Sequence, residues 1–249
     1  MVLQTILFII EWLRNILLAI ALLFGVRTIK ALFKTDSKNQ IIGMKRIVFT
    51  LIASGLSFFL IALLIENFGG VIDKRFTPAS IALFSIAYLL LLVAFAYFWH
   101  DSSKYHMLHI SEPVFFLGVS AGVMLWMYYL FRIAMQANAA GFSLMDKFVF
   151  IIHPLAVAMI FLLTLIIHPA HKAKVIRTPL WYISSGIFLY FIGYMIMTYS
   201  FIRPVARLIP LFYTILFFLS AAYFTLGFFA ASRKFGKPQA LKEATDKTG

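Results

Sequence analysis

The chain contains no cysteine. Disulfides, thiolate metal sites, iron–sulfur clusters and thiol nucleophiles are therefore excluded. Charge is also scarce. Only 12% of residues are charged, against about a quarter in an ordinary soluble domain. Acidic residues number just nine, against 22 lysines and arginines. Too few polar side chains remain to cover the surface of a water-soluble fold of 249 residues.

What is present is apolar. Hydrophobic residues make up 63% of the chain, and mean hydropathy is +0.95. Seven windows are free or nearly free of charge: 6–26, 47–66, 79–99, 114–134, 148–168, 179–200 and 209–231. A helix needs about 20 such residues to cross a hydrocarbon core of roughly 30 Å. The expected fold is all-α: a polytopic membrane protein with a seven-transmembrane-helix bundle over 1–234 and a short polar tail at 235–249. Pro78, Pro113, Pro179 and Pro210 fall at or just before the first turn of a window. Proline is tolerated there because the first helical N–H groups have no partner anyway. Glu11 and Arg14 interrupt the first window. It still reads as a span, since no basic head precedes it and no clean small-residue cleavage site follows. Matching broken helices, the mark of an inverted-repeat transporter, are not evident.

Basic residues set an orientation. Fifteen of the 22 lie in the loops after odd-numbered windows or in the tail, and seven lie on the other side or in the first window. The richer side belongs in the cytoplasm. The N-terminus is then outside, the C-terminus cytoplasmic, and the setting is the cell (inner) membrane. The net charge of +13 also suits anionic headgroups at the inner leaflet. Expected partners are the lipid bilayer and a membrane or cytoplasmic protein. Nucleic acid is not expected, because the basic residues are spread over short segments without interleaved exposed aromatics.

Ionisable groups inside a bilayer are costly and point to function. Glu11 and Arg14 are three apart, on one helix face, where they can pair. Glu66, Arg132, His153, Arg203 and Arg207 fall at a similar level in other windows or the last outer loop. Together they suggest an outward-facing polar pocket richer in Arg than Glu, which fits an anionic group. The alternative for Glu66, Arg132, Arg203 and Arg207 is snorkelling to the interface. Tyr190 and Tyr194 lie one turn apart in the sixth window, and Tyr213 and Ser220 lie seven apart in the seventh. With Thr198 they suggest an aromatic, lightly polar interior suited to a lipophilic or ring-shaped ligand. The candidate ligand-binding residues are therefore Glu11, Arg14, Arg132, His153, Tyr190 and Tyr194. His153 precedes Pro154, and a histidine beside a proline kink can fill the gap or line a cavity.

Histidines form a second group. His100, His106, His109, His168 and His171 fall on the cytoplasmic side. His100 and His168 end two spans and are the candidate metal or haem ligands. No helical metal motif such as His-Glu-x-x-His is present, and no cofactor is specified. Gly118-Val119-Ser120-Ala121-Gly122 carries a serine between glycines, but a nucleophile elbow needs a strand-to-helix turn. Gly118 and Gly122 instead read as a close-packing helix face. Ser54, Gly55 and Ser57, and Ser184, Ser185 and Gly186, read the same way.

Seven spans, an outside N-terminus and short loops make a layout that resembles microbial rhodopsins, and the last span reads Leu219-Ser220-Ala221-Ala222. That family holds retinal on a lysine in this span. None is present, so a retinal photoreceptor in its usual form is excluded. Zinc-dependent seven-span hydrolases carry a paired histidine motif on their last span, and this one has no histidine. The leading expectation is a non-enzymatic integral membrane protein that binds a small or lipophilic, anion-compatible ligand within the bundle. It would serve as a sensor-like module, a carrier for transport, or an accessory subunit. A haem- or metal-bearing subunit is the alternative, and a lipid-modifying membrane enzyme comes third.

Overall fold

A computed structural model describes residues 2–34, 40–69, 77–103, 152–164, 174–202 and 208–235, with further helical positions between 121 and 132. Six helices are delineated: α1 (Val2–Lys34), α2 (Gln40–Gly69), α3 (Pro78–Ser103), α4 (Ile152–Thr164), α5 (Lys174–Ile202) and α6 (Ile209–Phe235). No strand occurs among the described residues. All except α4 are long and apolar enough to cross a membrane. The fold is thus all-helical and fits an integral membrane protein.

The helices overrun the apolar windows. α1 extends from Val2 to Lys34, and α2 reaches Gly69. Ending a helix at membrane depth would strand backbone polar groups, so each runs past its apolar window. α3 starts on its proline: Pro78 is the first residue and Thr77 the cap, accepting the Ser80 N–H on its hydroxyl at 3.2 Å. α5 departs from the expected pattern. It begins at Lys174, so Pro179 lies inside the helix rather than at its start.

Packing follows one order. α2 packs on α3, α1 lies between α2 and α6, and α5 packs on α6. The free ends of this row meet where the hydroxyls of Tyr88 (α3) and Tyr190 (α5) lie 3.0 Å apart. α4 reaches α3 through His153 against Phe84 and Tyr88, and α5 through Phe161 against Phe188 and Phe191.

Small residues bring backbones together. A Cβ on Gly55 would lie 3.1 Å from the Ala87 carbonyl oxygen, and one on Gly186 would lie 3.1 Å from that of Ser220. The Ser220 hydroxyl donates to the Gly186 carbonyl at 2.7 Å, tying α6 to α5. The single hydroxyl proton of Thr225 lies between the carbonyls of Ala221 in its own helix and Leu17 of α1, each 2.9 Å from Oγ1. The close-packing reading therefore describes Gly55 and Gly186. It does not describe Gly122, where a Cβ would meet nothing within 4 Å among the described residues. The reason is orientation. Gly122 shares a helix face with Leu125, Tyr129 and Arg132, and all four are exposed. Gly118 and Ser120 lie outside the described residues.

Candidate functional site

All six helices send polar or aromatic groups to one level of the bundle. This level lies toward the end where α1 begins and α2 finishes. Arg14 on α1 is only 8% exposed. Its Nε and Nη2 both donate to Asn15 Oδ1 at 3.3 Å. Glu11, one turn earlier, acts on Arg14 electrostatically, but no carboxylate is in ion-pair contact with Arg14 among the described residues. The expected Glu11–Arg14 pair is thus a longer-range interaction; Asn15 Oδ1 takes only the Nε–Nη2 edge of the guanidinium. Tyr213 of α6 lies within electrostatic range of Glu11, and Tyr190 of α5 within range of Arg14.

The aromatic side of the site is built from α2 to α5. Tyr190 packs edge-on against Phe59 at 5.2 Å, lies 5.9 Å from Tyr194, and shares its hydroxyl with Tyr88. His153, 2% exposed, stands edge-on to Tyr88 at 5.1 Å and is 6.4 Å from Tyr194. These are ring-centroid distances in the range of favourable aromatic contact. Sequence periodicity explains the convergence. Tyr190 and Tyr194 are four apart, as are Phe84 and Tyr88 and also Tyr213 and Phe217, so each pair presents one helix face inward.

Two buried donors of this level are left over. Asn15 is 3% exposed, and its Nδ2 has no hydrogen-bond partner among the described residues. Arg14 fixes the amide orientation, since only the carbonyl oxygen can accept from a guanidinium. Tyr194 is also 3% exposed, with its Oη equally unpartnered. Trp12 Nε1 and Asn67 Nδ2 share this condition nearer the helix ends. Buried polar atoms are almost always hydrogen-bonded, and the cost of leaving one unpaired is greater where no water competes. Three of these four atoms can only donate. The site therefore favours a ligand carrying acceptors.

Sequence reasoning named Glu11, Arg14, His153, Tyr190 and Tyr194, and the structure places all five at this level. Arg132 lies apart. It is exposed on the outward face with Leu125 and Tyr129, and no hydrogen bond joins it to the others among the described residues. Arg203, Arg207 and His168 fall outside the described residues, as does the side chain of His100. Among the described residues no group of three His, Cys, Asp or Glu could hold a metal ion.

Sequence reasoning missed Asn15 and Tyr88. Asn15 sits directly beside the charged Arg14 and carries no charge or motif of its own. A lone amide in an apolar helix was the available signal. Glu66 has a different role from the pocket or interface expected of it. Its Oε1 accepts from the Thr77 N–H at 3.2 Å and from the Ser80 hydroxyl, clamping α2 to the start of α3. A Thr-Pro-x-Ser cap following an acidic helix end was the legible clue.

No protein-family model matches the chain, and comparison with curated proteins and with solved structures finds no match to either.

Proposed function

We propose that the chain is a seven-span membrane protein, N-terminus outside, which binds a small or lipophilic ligand where Arg14, Asn15, Tyr190 and Tyr194 converge. The two buried donors Asn15 Nδ2 and Tyr194 Oη, without partners among the described residues, carry this reading. They come from different helices: Asn15 holds the buried guanidinium of Arg14, and Tyr194 packs against Tyr190, which lies within electrostatic range of it. Rings from α2, α3 and α5 supply an apolar wall. A ligand with an acceptor head and an apolar body would satisfy the donors and keep the wall dry. Buried donors beside an apolar wall are the features of a binding site. The module would then sense the ligand, carry it or present it to a partner subunit.

Thermal unfolding of the detergent-purified chain tests this. Apolar compounds with and without an acceptor group should separate into stabilising and inert sets. A ligand at about 100 times its Kd adds roughly 2.7 kcal/mol. Tyr194→Phe should abolish the shift while leaving the unliganded melt near wild type. A melt that no compound moves, or that moves equally in Tyr194→Phe, would reject the site.

A further inference from the structure

We infer that the Arg14 site takes a monocarboxylate carried on an apolar body. This rests on the binding reading above and names its ligand class.

The first observation is the guanidinium. Arg14 is buried, yet its hydrogen bonds go to a neutral amide, Asn15 Oδ1. A cation taken out of water calls for an anion in contact, because solvent no longer screens it. A carboxylate fits by shape as well as sign. It is planar and can face a guanidinium with two parallel bonds. Asn15 Nδ2 and Tyr194 Oη add two buried donors with no partner among the described residues. A carboxylate offers about four lone pairs to such donors.

The second observation limits the charge. Glu11 lies within electrostatic reach of Arg14, and Glu66 within reach of Tyr194. Glu11 already offsets part of the Arg14 charge at longer range, so the contact position beside the guanidinium takes one negative charge at most. A second, as on a phosphate monoester, would meet these carboxylates without a further cation among the described groups of the site. An ammonium head would face Arg14 directly.

The third observation concerns the body. Phe59, Tyr88 and Phe217 bring rings within 5.2, 5.1 and 5.1 Å of Tyr190 or His153. Their faces and edges suit hydrocarbon or an aromatic ring, not a hydrated sugar or peptide.

Four probes of similar length separate the classes: octanoate, octan-1-ol, octyl phosphate and octylammonium. 3-Phenylpropanoate is added as a ring-bodied acid. Calorimetric titration of the full chain in neutral detergent reads affinity for each. Octanoate or 3-phenylpropanoate should bind once per chain, at least about tenfold tighter than the other three heads, as expected for a charge-assisted pair. The tighter of the two acids tells whether the body is a chain or a ring. Arg14→Gln should lower acid affinity about tenfold or more. Arg14→Lys and Tyr194→Phe keep the fold's bulk and should also weaken it, so the inference stays testable if Arg14→Gln does not fold. Arg233→Gln, exposed at the opposite end of the bundle, should bind as wild type. Tight, Tyr194-dependent binding of octanol or octyl phosphate would keep the site and overturn the carboxylate. Acid binding indifferent to Arg14→Lys and Tyr194→Phe would also overturn it. Failure of every probe would overturn both this inference and the binding reading beneath it.

Discussion

Gly227→Ala isolates the packing that holds α6 against α5. An alanine Cβ there would stand 2.7 Å from Ile183 Cγ1 and 3.1 Å from the Pro179 carbonyl oxygen. Ile183 is fully buried, and the carbonyl is backbone, so neither yields cheaply. Overpacking of this kind costs about 1–3 kcal/mol. Alanine also gains roughly 1 kcal/mol of helix propensity over glycine. Gly122→Ala supplies the reference, because nothing stands within 4 Å of its Cβ position among the described residues. Both substitutions carry the same propensity gain, so their difference is the clash alone. Gly227→Ala should therefore be less stable than Gly122→Ala by about 1–3 kcal/mol. At this chain length that separates the two melts by several degrees, at roughly 2–4 °C per kcal/mol. Scanning fluorimetry in one detergent reads the difference directly. Equal melts, or a more stable Gly227→Ala, would refute the close approach of α5 and α6.

Glu66→Gln and Ser80→Ala should each lower stability by about 1–3 kcal/mol. The double variant should cost less than their sum, because both remove one clamp; strict additivity in a chemical-denaturation cycle would show the two groups to be independent. Ser220→Ala removes the hydroxyl that bridges to Gly186 and should cost about 0.6–1.7 kcal/mol, read as a lowered melt; an unchanged melt would mean the bond contributes nothing. A reporter fused after Gly249 should be active only as a cytoplasmic marker, given the basic asymmetry. Activity of a periplasmic reporter at that position would invert the orientation.

The long helices were legible because apolar windows of span length permit little else. Their ends were not, since helical hydrogen bonding continues through Lys34 and Gly69 after hydropathy falls. Much of the candidate site was readable for a similar reason. Arg14 and His153 stand out in apolar surroundings, and the four-residue spacing of Tyr190 and Tyr194 places them on one face. Tyr88 did not stand out, as one ring in a chain with 28 phenylalanines and 11 tyrosines. Its role depends on the partner hydroxyl 3.0 Å away on a helix 102 residues later. Glu66 and Arg132 show the same limit from the other direction. Both are charged residues near span ends. Tertiary contact makes one a clamp, and helix rotation leaves the other exposed.

The most direct test asks whether the binding level around the buried Arg14 guanidinium opens to the outside of the membrane. The absence of native cysteine makes a direct measurement possible. Asn15→Cys would place the chain's single thiol beside Arg14. In intact cells, its rate of reaction with membrane-impermeant methanethiosulfonates of opposite charge is the quantity to measure. Labelling is expected from the outer face, faster with the sulfonate reagent than with the trimethylammonium one. Adding Arg14→Gln should erase or reverse that preference. A thiol that reacts with neither reagent, or only after the membrane is permeabilised, would contradict an outward opening.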